Sequence, residues 1–271
     1  MMKLMLLTTN EDLIKEAMKS DIDRIFVDLE YINKSERQKG RDTVLSHNSI
    51  NDVKRVRPLI DDGKLLVRIN PIHANSKYEI DKVIEYGADI IMLPMFKYPE
   101  EVNTFIRLID GRAKTCLLLE TAQAMVRIDD ILDQAGIDEM YIGLNDLHIS
   151  LGLDFMFEVL SSGLVEYMAD KIKNKGVPFG FGGMGKIGEG MLPAENILCE
   201  HYRLGSSSVI LSRTFRNENV NQDIKVDLDK EVKKIRAKEE LYSKYSLKEF
   251  EQNSCFIRSK IKEIVKVLNN R

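Results

Sequence analysis

The feature that most constrains the fold of this chain is a series of eight short apolar runs separated by charged stretches. Each run has the length and composition of a buried parallel strand. The stretches between them carry apolar residues at helical spacing, for example Ile80, Val83 and Ile84. The runs are Lys3–Thr9, Arg24–Glu30, Lys64–Asn70, Asp89–Met95, Lys114–Thr121, Glu139–Leu144, Pro178–Gly183 and Ser208–Phe215. This alternation predicts an α/β fold and favours a closed TIM (β/α)8 barrel over an open doubly wound sheet.

The sequence pattern changes near Asp227, beyond which no strand-like run occurs. We therefore predict a catalytic barrel domain over residues 1–220 and a C-terminal helical extension over residues 221–271. We expect the extension to pack on its own barrel or on a neighbouring subunit of a homo-oligomer. This expectation rests on a stripe at helical spacing that consists of Ile257, Ile261, Ile264, Val265 and Leu268.

The composition argues against several classes of function. The 271 residues include 40 Lys and Arg against 43 Asp and Glu, so the net charge of −3 does not favour nucleic acid binding. No apolar run approaches the roughly 18 residues of a membrane span, and we interpret the apolar N-terminus as the first strand. Three widely spaced cysteines, an odd number, fit buried thiols in a reducing cytoplasm, which is the predicted location.

Three ionisable residues lie late in two of the apolar runs. Asp28 and Glu30 are two positions apart and share one face of their strand, where a buried carboxylate is costly unless it has a partner or a function. We predict a function for Asp28, whereas Glu30 could also simply end the strand and cap the next loop. Arg68 either forms a structural ion pair with a barrel carboxylate or clamps a substrate carboxylate or enolate, and we favour the clamp.

Two further carboxylates, Glu120 and Asp146, each follow an apolar run. If both runs are strands, both acids emerge at the edge of the sheet where α/β barrels carry their active sites. Carboxylate oxygens suit a hard cation, so this pair predicts a site for Mg²⁺ or Mn²⁺. Coincidence explains either acid alone, but four ionisable residues at four strand ends favour a common site.

The glycine-rich segment from Gly180 to Lys186 matches two nucleotide-binding patterns superficially. Ile187 stands where a P-loop needs Ser or Thr, and further glycines follow where either pattern requires a helix. Two interpretations remain open: a phosphate-binding loop with Lys186 as an anion contact, or a simple flexible loop. For His148, which follows Asp146, we expect a local hydrogen bond.

Between about Asp23 and Phe215, these motifs in this order resemble the HpcH/HpaI aldolase and citrate lyase β-subunit family. The resemblance rests on Val27-Asp28-Leu29-Glu30, Val67-Arg68-Ile69-Asn70, Ile91-Met92-Leu93-Pro94, Leu119-Glu120-Thr121-Ala122 and Tyr141-Ile142-Gly143-Leu144-Asn145-Asp146-Leu147 with Ser150-Leu151-Gly152.

The resemblance implies a TIM barrel that forms or cleaves carbon–carbon bonds through a metal-bound enolate of a 2-oxo acid such as pyruvate or an oxaloacetate-like acid. It implies Glu120 and Asp146 as metal ligands and Arg68 as the substrate-binding arginine. It also implies that backbone amides near Gly143 and Asn145 hold the substrate carboxylate. The second substrate would be an aldehyde or an acyl acceptor.

The chain departs from the family pattern at Tyr31, where HpaI-type aldolases have a histidine that takes part in proton transfer. Proton transfer is therefore left to Asp28, Glu30 or a metal-bound water. Three alternatives to the metal-dependent aldolase stay open: a Schiff-base aldolase, an acyl-CoA lyase or thioesterase of the citrate lyase β type, and a non-catalytic binding or scaffold subunit. A Schiff-base enzyme needs a desolvated lysine inside the barrel, and no lysine lies in an apolar strand core.

Overall fold

The protein is an eight-stranded barrel of the predicted class. The computed structural model describes residues 1–32, 48–216 and 226–270. Within these residues the strands are β1 (Lys3–Leu7), β2 (Arg24–Asp28), β3 (Leu65–Arg68), β4 (Ile90–Leu93), β5 (Lys114–Leu119), β6 (Glu139–Ile142), β7 (Phe179–Met184) and β8 (Ser208–Leu211). Each strand pairs in parallel with the next along the chain, and β8 pairs with β1, which closes the barrel. Each of the eight predicted runs therefore coincides with a strand, and only β7 extends beyond its run, by one residue, to Met184.

Helices follow the strands and cover the outside of the barrel. In the described part of the chain they are α1 (Glu11–Ala17), α2 (Ile50–Val56), α3 (Ser76–Glu85), α4 (Pro99–Ile109), α5 (Ala122–Val126), α6 (Ile128–Leu132), α7 (Leu144–Ser150), α8 (Glu158–Ser161), α9 (Leu164–Asn174), α10 (Ala194–Leu204), α11 (Leu228–Tyr242) and α12 (Leu247–Asn269). Short 3₁₀ helices occupy Arg57–Leu59 and Arg213–Phe215. A left-handed glycine, Gly87 with φ 89°, leads from α3 towards β4, as expected of a glycine after a helix.

The hydrophobic core forms two layers because side chains alternate across each strand. The larger layer fills the space between the barrel and its helices. The smaller layer fills the inside of the barrel and consists of Met5, Phe26, Leu66, Ile90, Met92, Cys116, Leu118 and Tyr141. The barrel is thus a packed core, and a ligand can reach it only at its ends.

The C-terminal extension consists of α11 and α12, and both helices pack against α10 of the same chain. Arg236 on α11 donates to the carbonyl of Met2 at 2.7 Å, which ties this helix to the end of the barrel where β1 begins. Ile257, Ile261 and Ile264 of the predicted stripe are buried. The predicted domain boundary at residues 220 and 221 lies outside the described residues. Among the described helices, none is both long and apolar enough to cross a membrane.

Candidate active site

The candidate site occupies the end of the barrel where the strands finish. Side chains two positions apart on a strand point to the same side of the sheet. Two positions after each of four inner-core residues, a further residue therefore faces the barrel interior. Phe26, Leu66, Leu118 and Tyr141 form the lower set. Asp28, Arg68, Glu120 and Gly143 form the next layer, at the carboxyl end of β2, β3, β5 and β6.

Arg68 and Asp28 form a two-point ion pair at this end. The two residues are direct neighbours in the register of β2 and β3, so their side chains rise side by side. The Nε and Nη2 atoms of Arg68 donate to Oδ1 and Oδ2 of Asp28 at 2.9 and 2.8 Å. Nη2 also lies 3.4 Å from Oε2 of Glu30, and the side-chain exposures of Arg68, Asp28 and Glu30 are 12%, 3% and 0%. The ion pair that competed with the clamp in the sequence interpretation is therefore present.

The charge of Arg68 is fixed by its carboxylate neighbours. Burial by itself would lower the pKa of this guanidinium, but the carboxylates of Asp28, Glu30 and Glu120 raise that pKa well above its ordinary value. Arg68 is therefore a permanent cation, and Glu120 lies close enough to act on it electrostatically. The guanidinium also lies 5.6 Å from the centre of the Phe26 ring, within the range of a cation–π contact.

Glu120 follows directly after β5, as predicted, and is held from two sides. The backbone N–H of Met95 donates to its Oε1 at 3.2 Å. Met95 has a φ of 57°, a strained value for a residue of this size. On the other side, a Cβ atom added to Gly143 would lie 2.8 Å from Oε2 of Glu120, so only glycine fits at this position. The start of α7 therefore packs directly against the Glu120 carboxyl group.

Asp146 is not at the end of a strand, and that detail of the prediction is wrong. Strand β6 ends at Ile142, and Asp146 lies buried in the first turn of α7. The apolar residues Leu144 and Leu147 are three positions apart and pack on a helical face, a pattern that a short run cannot distinguish from a strand. Asn145 lies in the same turn. His148 makes the expected local contact, with its Nδ1 3.2 Å from the carbonyl oxygen of Leu144.

The donor set at this end fits a hard divalent cation. The buried carboxylates predicted for the site are those of Asp28, Glu30, Glu120 and Asp146, and the first two lie within 3.4 Å of the Arg68 guanidinium. Carboxylate oxygens are the ligands that a hard divalent cation prefers. Among the described residues, no three acidic, histidine or cysteine side chains are grouped as a complete metal site. Magnesium commonly takes only one or two carboxylates from the protein, and Glu120 and Asp146 could supply these.

The strand lysines lie at the wrong end for a Schiff base at this site. Lys3 and Lys114 are the first residues of β1 and β5, so they lie at the opposite end of the barrel from Glu120. The other described strands contain no lysine. This arrangement weighs against the Schiff-base alternative.

The glycine-rich segment is mainly a strand, so neither loop interpretation describes it fully. Gly180 to Met184 belong to β7, whose register with β8 shifts between Gly180 and Gly183. Lys186 lies beyond the strand, and its ammonium group pairs with Oε1 of Glu189 at 3.0 Å.

Sequence reasoning missed the amide that fixes the segment after β2. Oδ1 of Asn70 accepts hydrogen bonds from the backbone N–H groups of Tyr31 and Ile32 at 3.0 and 3.1 Å. Its Nδ2 donates to Oε1 of the buried Glu79 at 2.8 Å. The signal was available, since Asn70 lies two positions after Arg68 within one motif. The side chain of Tyr31 is 66% exposed and does not fill the site.

A closed α/β barrel with ionised residues gathered at the carboxyl ends of its strands has the architecture of an enzyme. The family model described as HpcH/HpaI aldolase/citrate lyase matches residues 2–158, more than half of the chain, so the protein belongs to this family. Membership indicates aldolase or lyase activity in general, and the family is commonly dependent on a divalent metal.

Two solved structures have the same fold. The first is an HpcH/HpaI aldolase from Desulfitobacterium hafniense DCB-2, with a TM-score of 0.59 and 15% identity over 78% of this chain and 86% of that chain. The second is an HpcH/HpaI aldolase/citrate lyase family protein from Burkholderia cenocepacia J2315, with a TM-score of 0.60 and 14% identity over 88% of this chain and 94% of that chain. No curated protein matches the sequence.

Proposed function

We propose that this protein is a divalent-metal-dependent aldolase or lyase that makes or breaks a carbon–carbon bond through the enolate of a pyruvate-type 2-oxo acid. The observation that carries the proposal is the burial of Arg68 among Asp28, Glu30 and Glu120 at the carboxyl end of the barrel. A permanent cation in a buried site is suited to stabilise negative charge that develops on a substrate oxygen.

Each group in the site has a role in this chemistry. Arg68 stabilises the enolate oxygen as the carbon–carbon bond breaks, and backbone amides near Gly143 and Asn145 hold the substrate carboxylate. Mg²⁺ or Mn²⁺, held by Glu120 and Asp146, would act as a Lewis acid on the 2-oxo acid. The proton moves to or from Asp28 or Glu30. The acceptor is an aldehyde or an acyl group, while homo-oligomerisation through residues 221–271 and a cytoplasmic location remain predictions.

The test measures exchange of the methyl protons of pyruvate in deuterium oxide with Mg²⁺, a half-reaction that needs no acceptor. We expect the wild-type protein to exchange these protons and Glu120→Gln to do so about 10²–10³-fold more slowly. Mg²⁺ binding, measured by calorimetry, should weaken in Glu120→Gln and in Asp146→Asn. Glu239→Gln is the matched control, because Glu239 is a buried carboxylate that bonds Met2 near the other end of the barrel.

Three outcomes would count against the proposal. Unchanged exchange and Mg²⁺ binding in Glu120→Gln would remove Glu120 from the site. Release of free thiol from malyl-CoA, without pyruvate exchange, would favour the acyl-CoA alternative. Absence of both reactions in the folded wild-type protein would favour a non-catalytic family member.

A further inference from the structure

We propose that Asp28 is a positioning residue, which holds the Arg68 guanidinium by one edge and takes no part in proton transfer. The inference rests on the proposed function, in which Arg68 meets a substrate oxygen. It assigns different roles to two carboxylates that the sequence treats alike, Asp28 and Glu30. The assignment comes from the hydrogen bonds that Asp28 already accepts.

The oxygens of Asp28 are occupied by donors of its own chain. Oδ2 accepts from Nη2 of Arg68, while Oδ1 accepts from Nε of Arg68 at 2.9 Å and from the backbone N–H of Glu30 at 3.1 Å. Three such hydrogen bonds, two of them from a cation, stabilise the ionised carboxylate. A proton taken up by Asp28 would break the two-point contact with Arg68. Asp28 is therefore a poor proton carrier.

The same contact fixes the direction of the guanidinium. The planar guanidinium group is held at both Nε and Nη2, so it cannot rotate about its bond to the side chain. It also makes the cation–π contact with the Phe26 ring. Within the described part of the chain, no hydrogen bond is made to the remaining nitrogen, Nη1. Asp28 thus leaves one nitrogen of Arg68 available to a substrate oxygen, at a position set before the substrate binds.

Glu30 is bound to Arg68 more loosely. Its Oε2 lies 3.4 Å from Nη2 of Arg68, whereas both oxygens of Asp28 accept from Arg68 at shorter distances, 2.9 and 2.8 Å. Of the two carboxylates, Glu30 accepts the methyl proton of the 2-oxo acid as the enolate forms, and it returns that proton to carbon in the reverse step.

The first experiment is chemical rescue. Arg68→Ala should lose pyruvate exchange, and millimolar guanidinium, below denaturing concentrations, should restore it by about tenfold or more because Asp28 can bind the free cation. The double variant Arg68→Ala with Asp28→Asn should show no rescue. Equal rescue in the two variants would overturn the positioning role.

The second experiment is the pH profile of exchange. Asp28→Asn should lower the rate at every pH and leave the shape of the profile unchanged, whereas Glu30→Gln should abolish its acidic limb. Loss of that limb in Asp28→Asn instead would make Asp28 the proton carrier and contradict the inference.

A third measurement separates this inference from the proposed function, because it needs no turnover. In protein with isotope-labelled arginine, the Nε–H signal of Arg68 should be protected from exchange with water and should lose that protection in Asp28→Asn. Retained protection of this signal in folded Asp28→Asn would show that Asp28 does not hold the Arg68 guanidinium, and would overturn the inference. A protected signal in a wild-type protein that does not exchange pyruvate would overturn the proposed function, while the role of Asp28 in holding Arg68 would be retained.

Discussion

The two ends of the barrel each bury an arginine, but in opposite electrostatic settings. At the end where the strands begin, Nη1 and Nη2 of Arg24 donate to the two carboxylate oxygens of Glu139 at 2.7 and 2.9 Å. These residues start β2 and β6, which lie opposite each other in an eight-stranded barrel, so the pair spans the interior. At the other end, Arg68 faces Asp28, Glu30 and Glu120 together.

The comparison separates a structural pair from a site. The opposite charges of Arg24 and Glu139 neutralise one another. At the same end, α11 is bonded to Met2, next to the start of β1, through Arg236. At the opposite end the buried Arg68 guanidinium feels three carboxylates at once, and buried, interacting charges of this kind are candidates for a functional site. We therefore expect substitutions at the first end to change stability alone, and substitutions at the second end to change activity, with or without a loss of stability.

The largest expected effect is the loss of stability when the structural pair is broken. Glu139→Gln leaves Arg24 buried without its counter-charge, which typically costs about 3–5 kcal/mol. The free energy of unfolding, measured by urea denaturation, should fall by that amount. The pyruvate exchange rate of the remaining folded protein should stay near the wild-type value.

A double variant provides the control for this prediction. Arg24→Met combined with Glu139→Leu replaces the pair by apolar side chains of similar volume, so it should recover most of the lost stability. A double variant as unstable as Glu139→Gln, or a single variant that loses exchange activity while folded, would break the distinction between the two ends.

The sequence predicted the barrel well because strand burial and helix amphipathicity are local patterns. Eight apolar runs located eight strands, and the alternation within them explains why Asp28, Arg68 and Glu120 share one end. The pairing of Arg24 with Glu139 could not be predicted. It joins residues 115 positions apart, and each charge, seen alone, simply begins a strand.

The details of the site were less accessible from sequence. Asp146 follows an apolar segment too short to show its helical period, so its position was expected in a strand. The N–H of Met95 is a backbone group in a strained conformation, which no side-chain pattern reports. Register was the missing information for Arg68, because only the alignment of β2 with β3 places Asp28 beside it.

The next prediction concerns the packing of Gly143 against Glu120. In Gly143→Ala the new Cβ would lie 2.8 Å from Oε2 and 2.9 Å from Cβ of Glu120, so the carboxyl group must shift. We expect a loss of about 1–3 kcal/mol in unfolding free energy. We expect exchange to slow by about 10²-fold, because small displacements in an active site are costly.

Gly183→Ala is the matched control. This glycine lies in β7, and its added Cβ would meet only the carbonyl oxygen of Ile210, at an ordinary 3.8 Å. Its effect should stay within about 1 kcal/mol and leave exchange unchanged. Equal losses of exchange in the two variants would mean that the exchange reaction does not depend on the position of the Glu120 carboxyl group.

A buried histidine in the outer layer should make stability depend on pH without involving either end of the barrel. His201 on α10 is fully buried against the Phe181 ring, and burial lowers its pKa from 6.5 to about 3. At pH values between these two pKa values, His201 is protonated in the unfolded chain but neutral in the folded chain. The free energy of unfolding therefore falls as the pH falls. The slope can reach about 1.4 kcal/mol per pH unit.

The measurement compares urea denaturation of the wild-type protein and His201→Leu at several pH values below 6.5. The variant also loses the contact with Ser206, which shifts its stability at every pH. The informative quantity is therefore the slope of the unfolding free energy against pH. The slope should be shallower in His201→Leu. Identical slopes would assign the acid sensitivity to carboxylates such as those around Arg68.

The smallest expected effect concerns Lys186, the anion contact suggested by the glycine-rich segment. Its ammonium group already pairs with Glu189, and the two side chains are 21% and 48% exposed. Lys186→Gln should therefore change the unfolding free energy by less than about 1 kcal/mol. The pyruvate concentration at half-maximal exchange should be unchanged, because the proposed function assigns the positive charge that meets the substrate to Arg68. A rise of about tenfold in that pyruvate concentration, at unchanged stability, corresponds to a loss of about 1.4 kcal/mol in binding free energy. That result would identify Lys186 as a second cation that contacts the substrate, and the site would then extend to the residues beyond β7.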